Sequence, residues 1–403
     1  MIESITKRKI IKHLKKSDDE FYMNKLISVI FFCATCCVNL NAQYLKVAGS
    51  KIDLPNGDIL GAAFYEGVGG FLVQQYVLIP EKDKVGFRTH RQLSSWDINN
   101  RSVIAITEKA FDEQRPRTQV FPCGRVEASA KLRRVFICSA DSHIEVLDPD
   151  DLSTVGKIAR QESGIISDFA VDDLRSRLFV LTTLGDGSSR LIAYSLPDGQ
   201  NKENETVLPV TNSMPTRMRL ALDLDSGRVG IAVNVNIRNR SNADIYTCIV
   251  ESGLACTKII QTDELAQISF LGKQILAATN NFANNKKECL LTIDPAAGSM
   301  SREYCSPSTG VHYAVGVVNG RYVAAFTGIS KYNWFTEETR SVSSSFSVWR
   351  AGNHKVAAVA KDSTDYGSFQ DEIEIAASRT EPLFITYHRM SNVLFLYTIT
   401  EHE

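Results

Sequence analysis

From about residue 44 onward, apolar residues occur in runs of five to eight, either alternating with polar ones or unbroken, and are rich in Val, Ile, Leu, Phe and Tyr. Gly, Asp, Asn and Ser separate the runs, and helical spacing is scarce, which is the strand-and-turn pattern of an all-β chain. The clearest unit predicts strands near 125–129, 134–139, 143–148 and 154–159, with turns at Ala130-Lys131, Ala140-Asp141-Ser142 and Pro149-Asp150-Asp151. The plan recurs through Phe169–Tyr194, Leu220–Cys248, Ile268–Asp294, Ala314–Trp349 and Ile373–Tyr397. A looser first copy runs through Tyr76–Ile79, Val85–Phe87 and Leu93–Trp96.

Seven copies at a period of roughly 45 residues predict a seven-bladed β-propeller of four-stranded antiparallel blades. One such sheet cannot bury both faces alone, whereas radial stacking covers face with face. The last copy lacks a fourth strand, and Tyr44–Leu54 is placed to supply it and close the ring. A pair of β-sandwiches is the competing architecture.

The N-terminus has a different character. Residues 1–22 are hydrophilic; after Met23 and Lys25 comes an apolar run, Leu26–Val38, then Leu40-Asn41-Ala42-Gln43. A basic flank, a short apolar core and a small residue before the break describe a leader and secretory signal peptide over 1–42, cleaved near Ala42. The run spans about 20 Å as a helix, short for a bilayer. An uncleaved anchor is the rival reading, and Met23 rather than Met1 is a second candidate start. Residues 43–403 form the single propeller domain, with no further stretch of membrane length. Secretion or a periplasmic location follows.

Cysteine spacing bears on the same question. Cys248 and Cys256 are symmetric about Ser252, and Cys289 and Cys305 about Ala297, as partners across hairpins would be; Cys123 and Cys138 fit through a turn near Ala130-Lys131. Three local disulfides are expected, in an oxidising compartment. The alternative is six buried free thiols in a reducing one.

Arg134–Ser139, Ile144-Glu145-Val146-Leu147-Asp148-Pro149 and Ser153–Ile158 resemble the YVTN-type β-propeller repeat, with Ile293-Asp294-Pro295 as a weaker echo. The resemblance implies an extracytoplasmic propeller. Relatives of that broad type include surface propellers, lactonase-like enzymes and propeller subunits of quinoprotein amine dehydrogenases.

Candidate chemistry is sparse. A formal charge of −1 excludes a global field for nucleic acid. No HExxH, GxSxG or P-loop occurs, and Gly67-Val68-Gly69-Gly70 lacks the strand–helix context of a dinucleotide site. His90, His143 and His388 each fall between the second and third strands of a copy, so their loops are expected to line one mouth of the channel. Arg88, His90 and Arg91 make a small basic loop there. The longest insertion, Thr327–Ser345, carries Lys331, Tyr332 and Trp334, residue types that anchor interfaces. No cofactor is expected; the lactonase likeness suggests a Ca2+ or Mg2+ site, Ca2+ first, with Asp141, Asp244, Asn280 and Asn281 as oxygen donors. Asn204-Glu205-Thr206 and Asn239-Arg240-Ser241 are glycosylation sequons. The expected role is a binding or interaction scaffold for a protein or small-molecule ligand at the mouth, over an open channel. A metal-assisted lactonase or a noncatalytic redox-enzyme subunit is the alternative.

Overall fold

Among the described residues, twenty-eight strands build seven four-stranded antiparallel sheets, with none left over. A computed structural model describes residues 44–402 except 56, 81–86, 111–122, 139–142, 159–163, 185, 197–200, 210–214, 238–239, 252, 264, 280–288, 308–310, 334–337, 363–372 and 390. The leader therefore lies outside the described residues, as do Asp141, Asn280, Asn281 and Trp334. Leu45–Thr400 forms one compact unit.

Each of the first six blades is a meander of four consecutive strands, running outward from the axis. Blade 1 holds β2 (Asp58–Tyr65), β3 (Gly70–Pro80), β4 (Phe87–Asp97) and β5 (Val103–Ala110). Blade 2 holds β6 (Val126–Ser129), β7 (Arg134–Cys138), β8 (Ile144–Leu147) and β9 (Thr154–Ile158). Blade 3 holds β10 (Gly164–Asp172), β11 (Arg177–Leu184), β12 (Ser189–Ser195) and β13 (Lys202–Leu208). Blade 4 holds β14 (Pro215–Asp223), β15 (Arg228–Ile237), β16 (Arg240–Ile249) and β17 (Ala255–Asp263). Blade 5 holds β18 (Leu265–Leu271), β19 (Gln274–Thr279), β20 (Cys289–Asp294) and β21 (Ser299–Cys305). Blade 6 holds β22 (Val311–Val318), β23 (Tyr322–Asn333), β24 (Glu338–Arg350) and β25 (Val356–Asp362).

Blade 7 closes the ring as the sequence suggests. Its inner strands are β26 (Ile373–Ala377), β27 (Leu383–His388) and β28 (Val393–His402), and its outer strand is β1 (Tyr44–Asp53), taken from the N-terminal side. Closure is bought with apolar contact: Leu45 packs with Phe384 and Tyr397, and Ile52 with Ile385 and Leu396. A second seam joins blade 7 to blade 1, where the Ile59 amide donates to the Ser391 carbonyl at 2.8 Å.

The core is a set of seams rather than one centre. Apolar clusters sit between neighbouring sheets, so the two faces of a strand serve different seams: Phe71 and Val73 pack toward blade 7, Leu72 and Leu93 toward blade 2. The period-2 alternation of the sequence has this double burial as its cause.

All three cysteine pairs are bridged. Cys248 faces Cys256 across β16–β17 and Cys289 faces Cys305 across β20–β21, the outer hairpins of blades 4 and 5. Cys123–Cys138 differs from expectation. Val126 faces Ile137, so position 125, not 123, lies across from Cys138, and the bridge ties the approach to β6 onto the end of β7.

The looser first copy is also corrected. Tyr76–Ile79 belong to the second strand of blade 1 and Leu93–Trp96 to its third; the inner strand is Asp58–Tyr65. Short residues in Leu60-Gly61-Ala62-Ala63 weakened its apolar signal.

Candidate functional site

The first strand of every blade lines the axis, so equivalent positions on these strands form rings around it. Register places Gly61 opposite Gln74, Asp168 opposite Leu181, Arg219 opposite Ala232, Gln267 opposite Ala278, Ala314 opposite Phe326 and Glu374 opposite Tyr387. Each partner lies the same distance along its second strand. Arg125, just ahead of β6, completes the level. Around the axis it reads Gly61, Arg125, Asp168, Arg219, Gln267, Ala314, Glu374. A β-bulge directly precedes Gly61, Asp168, Gln267 and Ala314, and a bulge re-aims the following side chain.

These side chains bind one another. The Arg125 guanidinium donates to Glu127 Oε1 at 2.8 Å, Asp168 Oδ2 at 3.2 Å and the Leu220 carbonyl at 2.6 Å, tying blades 2, 3 and 4. Asp168 also accepts the Leu220 amide at 2.7 Å and the Phe169 amide at 2.9 Å. On the far side, Arg219 reaches from blade 4 to Glu374 Oε1 in blade 7. Glu374 accepts the Tyr387 hydroxyl at 2.7 Å, and Arg389 Nη1 lies 3.6 Å away. The Gln267 amide meets the backbone of Ile375, donating to its carbonyl at 2.9 Å and accepting its N–H at 3.1 Å. That bond links blade 5 to blade 7, and the small Ala314 of blade 6 leaves room for it.

Burial sets the electrostatics. It pushes the Asp168 carboxyl up, against the opposing pull of Arg125 and Arg219. Burial works against the Arg125 cation too, yet Asp168 and Glu127 outweigh it and its pKa is raised. Both side chains are largely withdrawn from water, with 4% of Asp168 and 28% of Arg125 accessible. Burial, then Glu374, drive the Tyr387 hydroxyl well above its usual range.

The ring therefore crosses the axis with its own ion pairs, and the expected open channel is corrected at this level. Its chemistry does not suit Ca2+, because each ring carboxylate is engaged by a guanidinium rather than offered to a cation. Asp244 does not fit either. It lies fully buried on β16, held by Lys258 Nζ at 2.7 Å and Gln261 Nε2 at 2.8 Å. Among the described residues no three His, Cys, Asp or Glu side chains gather where a metal could be held.

The other sequence candidates are distributed. His90 lies inside β4, opposite Val77 and Ala110, not in a loop. Arg91 beside it is buried and hydrogen-bonded to Tyr76. His143 is buried just before β8, with Nε2 3.7 Å from Glu145 Oε1. His388 ends β27, buried opposite Ile373. Tyr332 stands on β23 opposite Thr339, while Asn280 and Trp334 lie outside the described residues. The ring itself escaped the sequence reading. Its signal is a polar residue four places before the end of an apolar inner strand, as in Asp168–Asp172 and Arg219–Asp223.

The two faces of the propeller differ. On one, turns between first and second strands are laced blade to blade. Lys131 donates to the Asp173 and Leu174 carbonyls at 3.0 and 3.1 Å, and Arg175 to those of Leu224 and Asp225 at 2.8 and 2.9 Å. Glu66 accepts from the Arg379 amide and the Thr380 hydroxyl, both at 2.7 Å. On the other face, among the described residues, three ladders run well past the ring level: to Pro80–Phe87 in blade 1, Ile237–Arg240 in blade 4 and Asn333–Glu338 in blade 6. Blades 2 and 7 stop at Cys138–Ile144 and Tyr387–Leu394. From Phe326 to Asn333 the blade 6 ribbon advances about 23 Å at strand rise.

No family model matches this chain, and no curated protein matches it. Among solved structures, the β-propeller domain of Cps50 (Swd1) from Myceliophteria thermophila is similar, with 11% identity and TM-score 0.52 over 88% of this chain and all of that one. Raptor from Chaetomium thermophilum is similar at 10% identity and TM-score 0.58, over 89% of this chain; the match takes in 29% of that longer protein. At such identities the likeness concerns the fold.

Proposed function

We propose that this protein is a secreted or periplasmic propeller acting as a binding scaffold, and that it recognises its partner on the face bearing the three long ribbons. The observation that carries this reading is the contrast between the two faces around a self-bonded axis. Ring charges that satisfy one another leave little for a ligand to bind. The laced turns make a base, and the ribbons of blades 1, 4 and 6 carry the backbone beyond it. Tyr332 belongs to the longest of them. A protein partner fits this better than a small molecule, since three separated ribbons frame a broad surface rather than a cleft.

Extracytoplasmic placement is supported by the three bridged cysteine pairs together with the apolar run Leu26–Val38 ahead of Ala42. The partial likeness to YVTN-type repeats agrees with that placement. A lactonase-type activity would need oxygen ligands outside the described residues.

The test is export of the full chain with a photo-crosslinking residue at Tyr332 or, as control, at Val155 on the outer strand of blade 2. N-terminal sequencing should begin at Gln43, and partner adducts should form from position 332 alone. A retained leader would overturn the placement. Equal adducts from both positions, or calcium-dependent lactone cleavage by the purified protein, would overturn the scaffold.

A further inference from the structure

The end of β21 combines an accessible disulfide with a backbone conformation that its residue disfavours. Cys289 and Cys305 are register partners, but the next pair is Leu290 with Glu303, so Tyr304 is the extra residue of a bulge. Its φ of 51° is left-handed, a conformation costly for a bulky side chain. The bulge turns the Tyr304 ring inward, where only 2% of the residue stays accessible. There it packs in the seam between blades 5 and 6. It meets Trp349 of β24 edge-on at 5.9 Å, lies on His354 at 4.9 Å, and its hydroxyl accepts the Gly352 amide at 3.1 Å. One aromatic residue thus fastens the free outer strand of blade 5 to blade 6, and the covalent bond beside it fixes the backbone that presents it.

The three bridges are not equally reachable. Cys123, Cys138 and Cys248 are buried and Cys256 half-buried, whereas Cys305 is exposed and Cys289 half-buried. Exposed disulfides are the ones thiolates attack first.

We propose that Cys289–Cys305 is a redox-sensitive lock: opened by a dithiol, it releases Tyr304 from blade 6 while the rest of the propeller stays folded. The reductant's first thiolate attacks one sulfur of the bridge and expels the other as thiolate. Its second thiol then closes the reductant's own disulfide, leaving Cys289 and Cys305 as two thiols. With the bond gone, the left-handed Tyr304 can relax to extended backbone, and β21 swings free at its mouth end. The other half of this joint is the end of β24 with the turn after it, Trp349–His354, so the packing there changes with redox state.

Dithiothreitol titration of the intact chain tests the lock, with alkylation and peptide mapping at each step. Cys289 and Cys305 should label at about tenfold lower dithiol than the other bridged cysteines. Hydrogen exchange at that step should rise in Ser299–Cys305 and Trp349–His354 and return on reoxidation. A second arm uses Tyr304→Gly, which removes the ring and the strain; this oxidised variant should show the same raised exchange. Simultaneous reduction of all three bridges would overturn the proposal. So would selective reduction without a change around Trp349.

Discussion

Arg219 and Glu374 lie in blades 4 and 7, on opposite sides of the axis, and their side chains form an ion pair across it. Only 17% and 13% of these side chains remain accessible, so each charge depends on the other for what water no longer provides. Glu374→Gln should destabilise the protein by about 2–4 kcal/mol, because the Arg219 and Arg389 cations lose their shared acceptor. The loss should be well short of additive with Arg219→Met, since the second change removes a charge the first has stranded. Urea unfolding of the two variants and their double measures this; additive losses would mean that the pair is not coupled.

Gly61 makes the tightest approach at the same level. A Cβ there would lie 1.9 Å from the Gly124 carbonyl oxygen, and one on Gly124 would lie 2.2 Å from the Leu60 carbonyl. Backbone rather than a movable side chain is in the way. Gly61→Ala should therefore force blades 1 and 2 apart and cost about 3 kcal/mol or more, beyond usual overpacking. Gly156→Ala, where a Cβ meets nothing within 4 Å, is the matched control. Thermal unfolding that treats the two alike would contradict the close contact.

How far these features were legible follows from what repeats. Blade strands recur seven times with alternating burial, so period and turns disclosed the fold, down to β1 completing blade 7. Cys248–Cys256 and Cys289–Cys305 were legible because hairpin register is local. Cys123–Cys138 was misregistered because its partner lies before the strand begins. The ring was not legible. Arg125, Asp168, Arg219 and Glu374 share no motif, and only the closed circle brings Arg219 and Glu374, 155 positions apart, into contact. His90 misled for a different reason: its ribbon is longer than the average blade hairpin, so a loop position became a strand position.

Buried phenols should make the fold sensitive to alkali. Burial, with Asp244 beside it, pushes Tyr246 up to about 12, and burial, then Glu374, raises Tyr387 well above its usual range. An unfolded tyrosine titrates near pH 10. The native state holds these protons more tightly, so their contribution is complete below about pH 10 and is lost as pH climbs through the native values. Stability should fall from about pH 10 upward, by no more than about 1.4 kcal/mol per pH unit for each tyrosine. Tyr246→Phe should flatten part of that decline. A pH-independent midpoint between about 9 and 11.5 would show that the phenols are not protected as described.

Ring closure by β1 carries the last expectation. A propeller with an open seventh blade exposes the flank of β28 and the apolar residues that β1 covers, Phe384, Tyr397 and Leu396 among them. The strand also brings its own buried anchors, Leu45 at 6% and Ile52 at 2% accessible. Ile52→Ala should cost about 2–4 kcal/mol, the usual range for emptying a buried isoleucine site. Lys51→Ala beside it points to solvent and should cost under about 0.5 kcal/mol. If blade 7 is the seam that opens first, Ile52→Ala should raise hydrogen exchange in Val393–Thr400 before it does so in blades 3 and 4. Uniform exchange across all blades would instead mean that the ring opens at another joint.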